Sequence, residues 1–281
     1  MQLLFINRLS TLITLFFLSL FITSNAQPNP IKWGKIPAKD LAMTTYETDP
    51  DASAVVLCDY ERVSVELIGA YPVSYEIHTR IKILKKEGDK YANITIPYLA
   101  SERISNFKAQ TINPEGITKL KTKEIFDEEV TNGYMRYRFT FPNVQVGSII
   151  EYRYTLQSTN MGLLDTWYFQ RDIPTRWSEC RFMIPEYIKY LMLTNTDRAF
   201  ALKEEKGTNI GPFIGDMYRW AMEDVPALKK EEHITTMRDY YNKIQLQTSA
   251  INVPGYFVQK FYEDWPHLSQ NWWKRESRQP N

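Results

Sequence analysis

Three histidines and two cysteines are spread over 281 residues, and none stands where spacing could define a metal or redox centre. His78, His233 and His267 lie far apart and belong to no HxH, HExxH or CxxC pattern. The acid pairs Glu128-Glu129, Glu204-Glu205 and Glu231-Glu232 are sequence neighbours, which does not place two carboxylates across a scissile bond. With Lys203, Lys206, Lys229 and Lys230 beside them, the second and third pairs read as solvated loops. Triad members converge in space, so chain order does not exclude them, but no GxSxG elbow supports one. No GxGxxG or GxxxxGK[ST] opens a helix to cradle phosphate. Cys58 and Cys180 sit in apolar runs and read as core thiols rather than nucleophiles, with a disulfide between them as the alternative. The expectation is no catalytic residue, no metal and no cofactor. What remains is aromatic: Trp167-Tyr168 and Trp272-Trp273 are adjacent rings that a strand would split between its two sides, and Trp265 begins an apolar stripe near the C-terminus. These five are the candidate ligand or interface residues.

The elements that must position such residues are strands. Val73, Tyr75, Ile77, Ile81 and Ile83 alternate with Ser74, Glu76, His78, Arg80 and Lys82, which predicts a strand wet on one face, with His78 at the surface. Met135 to Phe141 and Ile150 to Leu156 alternate in the same way and put Tyr137, Tyr152 and Tyr154 on core faces. Shorter candidates run through 55–67, 94–98, 104–112, 181–184, 189–194, 217–222 and 244–251. Asn113-Pro114-Glu115-Gly116 has the residues of a type I turn and should reverse the chain. The Phe141 to Ser148 link predicts a hairpin between its flanking strands. One-sided strands at short spacing predict an all-β, mainly antiparallel fold, a large β-sandwich of stacked sheets over 51–264 after an extended lead-in at 27–50. Trp265, Leu268 and Trp272 at i, i+3 and i+7 predict a short C-terminal helix in 265–281.

Composition bounds the partners. With 34 basic against 33 acidic residues no charge excess steers the chain to nucleic acid, and 43% hydrophobic residues suffice for a core. Arg8, the apolar run Leu12 to Ile22 and Ser24-Asn25-Ala26 read as a signal peptide at 1–26, too short in its apolar part for a membrane anchor. Arg8 is the leader's one charge, so its removal leaves a formally neutral, exported chain without an integral membrane segment.

The segment Phe139-Thr140-Phe141-Pro142-Asn143-Val144-Gln145-Val146-Gly147-Ser148-Ile149-Ile150-Glu151-Tyr152-Arg153-Tyr154 resembles a bacterial domain of unknown function. That domain commonly precedes a transglutaminase-like, papain-type domain in exported proteins of Gram-negative bacteria. The Asn113 to Gly116 turn, Trp167 to Gln170 with Ile173-Pro174, Ile184-Pro185-Glu186 and Val225 to Glu231 extend the resemblance over about Asp51 to Trp265. It implies a β-rich, exported, non-catalytic module that accompanies a Cys/His/Asp catalytic domain, in the periplasm or at the cell surface. No cysteine follows Cys180 and no histidine follows His267, so no catalytic position carries over.

The expected function is therefore a non-enzymatic binding or scaffolding module of the cell envelope. Two alternatives stand beside it: a subunit or truncated part of a transglutaminase-like or cysteine-protease-like enzyme, and a glycan- or peptide-binding module using the exposed rings.

Overall fold

The computed structural model describes residues 30–66, 69–229, 240–253, 255 and 257–261, and the described residues from Trp33 onward form one compact unit. A short helix, α1 (Ala38–Ala42), precedes the strands β1 (Ala54–Val65), β2 (Val73–Ile83), β3 (Asn93–Leu99), β4 (Arg103–Asn113) and β5 (Gly116–Lys119). Then come β6 (Ile125–Thr131), β7 (Tyr134–Thr140), β8 (Ile149–Ser158), β9 (Trp167–Tyr168) and β10 (Thr175–Pro185). The last are β11 (Ile188–Asn195), β12 (Leu202–Ile210), β13 (Phe213–Val225), β14 (Lys243–Val253) and β15 (Phe257–Lys260). The fold is all-β and mainly antiparallel, as the alternation predicts; the sequence-predicted helix after Trp265 and the leader lie outside the described residues.

Eight strands form a large sheet in the order β12-β13-β10-β1-β2-β8-β4-β5, with β1 and β10 parallel at its centre. Two smaller sheets lie over one face. One joins β11, β14 and β15, with β9 on β14, and the other has the order β3-β7-β6. The face is covered because its side chains are apolar at both ends. Val63, Val65, Tyr75, Phe182 and Trp220 pack against Ile188, Ile244 and Leu246 of the first small sheet. Val56, Ile81, Ile150 and Tyr152 pack against Ile96 and Phe139 of the second. Burying a side chain of this size contributes roughly 1.5–3 kcal/mol, so these two clusters hold the layers together.

Three expectations change. The Phe141 to Ser148 link does not close a hairpin: β7 pairs with β3 and β6, whereas β8 pairs with β2 and β4. Phe141, buried beside Phe139 and Tyr152, anchors a crossing from one layer to the other. Glu204-Glu205 is no loop but part of β12, an edge strand whose charges suit a sheet margin with few neighbours. The wet face of β2 is also buried at its far end, where His78 is 7%, Arg80 1% and Lys82 1% exposed. The lead-in segment causes this, because from Trp33 to Tyr46 it is laid across that outer face. Lys82 donates to the carbonyls of Leu41 (2.8 Å) and Gly147 (2.7 Å), and Asp40 of α1 accepts a two-pronged ion pair from Arg176 at 2.6 and 2.9 Å.

Asn113-Pro114-Glu115-Gly116 reverses the chain between β4 and β5 as predicted, with Gly116 at φ 148°, where a side chain would be strained.

Candidate functional site

The register of β1 decides which polar groups meet. A shift between Val56 and Cys58 brings Asp59, Glu61, Val63 and Val65 onto the inner face, opposite Thr79, Ile77, Tyr75 and Val73 of β2. Two acids thus share a face with two valines. They fall between the two apolar clusters, where neither small sheet covers them completely. The connection from β8 to β10 completes the walls, supplying Asp165, Trp167, Gln170 and Arg171, and Tyr241 closes one side. The result is an open cleft of ≈ 760 Å³, a size typical of small-ligand sites.

Its charged groups divide into partnered and unpartnered. Asp59 accepts from Thr79 Oγ1 at 2.9 Å and from Arg171 Nε at 2.6 Å, a buried pair that anchors the loop to β1. Asp172 accepts from the Tyr91 hydroxyl at 2.9 Å. Gln170 accepts from Asn242 N at 2.9 Å and thereby sets the position of the chain around Tyr241. Glu61 differs. It is 8% exposed, and its Oε1 has no hydrogen-bond partner among the described residues. Burial, followed by the charges of Asp165 and Asp59, pushes its carboxyl well above the usual range. Asp165 is exposed at the cleft, and partial desolvation followed by the charge of Glu102 raises its carboxyl. Trp167 Nε1, another cleft-lining group, is also buried without a partner among the described residues. Leaving such groups unsatisfied costs of order 1–3 kcal/mol each, so they mark a place where a ligand could supply what the fold does not.

The outer face of the same sheet provides the contrast. Glu151 is fully buried and accepts from His78 Nε2 (2.9 Å), Arg80 Nη2 (2.5 Å), Gln110 Nε2 (2.7 Å) and the backbone N–H of Gly34 (2.9 Å). Burial alone would push this carboxyl up, but His78, Arg80 and Gln110 together hold it below its ordinary value. Trp33 covers the network, 5.7 Å from the His78 ring and under the Arg153 guanidinium. Glu179 is satisfied in the same manner by Arg219 (2.6 Å), Arg181 (2.7 Å) and Trp177 (2.9 Å). Satisfaction of both carboxylates by three or more donors identifies them as structural groups. His78 is thus neither a surface residue nor a metal ligand; the rule that charged side chains on alternate positions face water fails where another segment covers them.

Of the sequence-predicted residues, the structure brings Trp167 and Tyr168 to the cleft. Trp167 is 7% exposed, edge-on to Phe169 (6.4 Å), so it is not the exposed platform expected. Pairing of β9 with Ile244 and Lys243 of β14 packs the indole against the core as a wall of the cleft and leaves Tyr168 half-buried, edge-on to Tyr241 at 5.1 Å. Trp265, Trp272 and Trp273 lie outside the described residues. Sequence reasoning missed Asp59, Glu61, Asp165 and Arg171. The signal for the first two was present, since acids at i and i+2 continue the alternation of Val63 and Val65. Cys58 and Cys180 are free and buried as expected, and burial pushes both thiols up, far from the thiolate form a nucleophile needs. Among the described residues no group of His, Cys, Asp and Glu could hold a metal ion.

A crystal structure of a "putative protease" from Parabacteroides distasonis shares the fold at TM-score 0.59 with 12% identity, over 70% of this chain and 40% of that one. This chain therefore spans less than half the length of that protein. A "putative nutrient binding protein" from Legionella pneumophila (9% identity, 70% of this chain and 68% of that one) aligns at TM-score 0.33. The LTA4 hydrolase of yeast (8% identity, 73% and 31%) has the same score, too low in both cases to carry an argument. No curated protein matches by sequence. Residues 70–229, more than half of the chain and the part holding β2 through β13 with the cleft's connecting loop, match the DUF3857 domain model, a domain of unknown function with solved structures, and the chain belongs to that family.

Proposed function

We propose that this protein is a non-catalytic binding or scaffolding module of the Gram-negative cell envelope, exported by a leader at 1–26 and working beside a transglutaminase-like domain. The observation that carries the reading is the cleft over β1: it offers unpartnered, buried polar groups to a ligand, while the chain's two thiols sit apart as neutral core groups. This reading assigns recognition to the cleft, where Trp167 is a buried wall rather than an exposed platform. The 40% of the "putative protease" that this chain matches fits a module carried alongside a catalytic region.

The test is direct. Purified protein is incubated with mixed peptides and with cell-wall glycan, and the products are followed by mass spectrometry. No turnover is expected; peptide-bond or glycan cleavage, or acyl transfer, overturns the reading.

A further inference from the structure

The cleft's chemistry is specific enough to name a ligand class, an inference that rests on the binding-module reading and deepens it. Glu61 and Asp165 both line the cleft, the Asp165 charge acts on the Glu61 carboxyl, and neither has a cationic partner among the described residues, whereas Asp59 is committed to Arg171. The unmet need is a positive group with several donors. Half-buried Tyr168, set edge-on to Tyr241, adds aromatic surface of the kind that favours a cation over a neutral group. Trp167 Nε1 is a donor without an acceptor, which asks the same ligand for a carbonyl oxygen.

We propose that the cleft binds a primary alkylammonium group carried on an amide backbone, such as a lysine-like side chain, with the ammonium between Glu61 and Asp165 and a carbonyl accepting from Trp167. An ammonium ion brings three donors on a compact charge, enough to satisfy Glu61 Oε1 and the Asp165 carboxylate together. Binding favours the ionised form of Glu61, whose carboxyl burial pushes up, so it releases protons and strengthens as pH rises. A neutral ligand that takes a hydrogen bond from protonated Glu61 behaves oppositely.

The other groups that act on Glu61 do not mask this sign. Asp59 is held by Arg171, and Glu102 acts on Asp165. Tyr75 of β2, Tyr154 of β8 and Cys180 of β10, which feel the Glu61 charge, are themselves pushed up and remain neutral through the range tested.

The experiment is calorimetric titration of the full chain with Nα-acetyl-lysine amide and, separately, with Nα-acetyl-norleucine amide, between about pH 6 and pH 8.5. The lysine probe is expected to bind with a Kd of about 1 mM or tighter, as its size allows. Its affinity should increase with pH and its binding heat should differ between phosphate and Tris buffers by the protons released. The norleucine probe should bind at least about tenfold more weakly. Glu61→Gln and Asp165→Asn should each weaken the lysine probe about tenfold or more, with thermal unfolding confirming that both variants fold. Equal binding of the two probes, affinity that falls with pH, or unchanged binding by folded Glu61→Gln overturns the proposal. So does absence of binding by either probe, and none of these outcomes touches the non-catalytic reading, which turnover alone decides.

Discussion

Glu61 of β1 and Glu151 of β8 are both buried glutamates of one sheet, with β2 between them, yet they respond to pH in opposite senses. The partners of Glu151 favour its charged form, so its contribution to stability is present above the ordinary carboxylate range and is lost as pH falls through its depressed value. Replacing it leaves Arg80 buried without its counter-charge. Glu151→Gln should therefore cost about 3–5 kcal/mol at pH 7 in urea unfolding, with a smaller loss in acid, where wild type has already surrendered the contribution. Glu61 favours its proton, because the folded state holds it more tightly than the unfolded chain does. The folded protein is thus progressively penalised as pH rises above the unfolded carboxylate value of roughly 4.3. Glu61→Gln should raise the Tm at pH 8 and leave it nearly unchanged near pH 4. A Tm that falls at pH 8 would mean that Glu61 is partnered in solution. A polar group kept at a cost to stability is what a binding site leaves behind when empty.

Among the elements, β10 carries the largest burden, pairing with β1 on one side and β13 on the other. Its end depends on Gly215 of β13, where an added Cβ would stand 2.3 Å from the Ile184 carbonyl and 2.7 Å from Pro185 Cα. Both obstacles are backbone and cannot swing aside. Gly215→Ala should cost about 1–3 kcal/mol and raise hydrogen exchange at the β10–β13 end first, while leaving β3, β6 and β7 protected. The lead-in segment is a second element whose role exceeds its length. Through Gly34, Asp40, Leu41 and Tyr46, which donates to Asp224, it ties down the outer face of the large sheet. Its short helix has no side-chain cap, so packing rather than helical propensity holds it.

At the scale of the whole molecule, the two cysteines report on cooperativity. Cys58 lies on the outer side of β1 and Cys180 on the inner side of β10, both free and both raised first by burial and then by nearby carboxylates. Iodoacetamide at pH 8 should label neither in the folded protein, and both should become labelled together across the urea midpoint, because the two strands they occupy are the centre of the large sheet. Earlier labelling of Cys58 would show that the lead-in segment and the outer face open separately from the core.

Alternation of residue types determined most of the strands, their core-facing tyrosines and the buried thiols, because a strand's two sides differ in apolar character whatever it packs against, and the turn residues determined the reversal at Asn113 to Gly116. Which sheet a strand joins was left to the tertiary structure. β7 and β8 read alike and lie eight residues apart, but the buried Phe141 carries the chain across layers instead of turning it back. Burial of His78, Arg80 and Lys82 was likewise decided by a segment more than thirty residues away, since a charged side chain shows nothing in its own type that says its partners will satisfy it. The cleft is the furthest case. Glu61 and Asp165 stand about a hundred positions apart and line one cleft because β1 and β10 pair in parallel, which obliges the chain between them to return across the inner face.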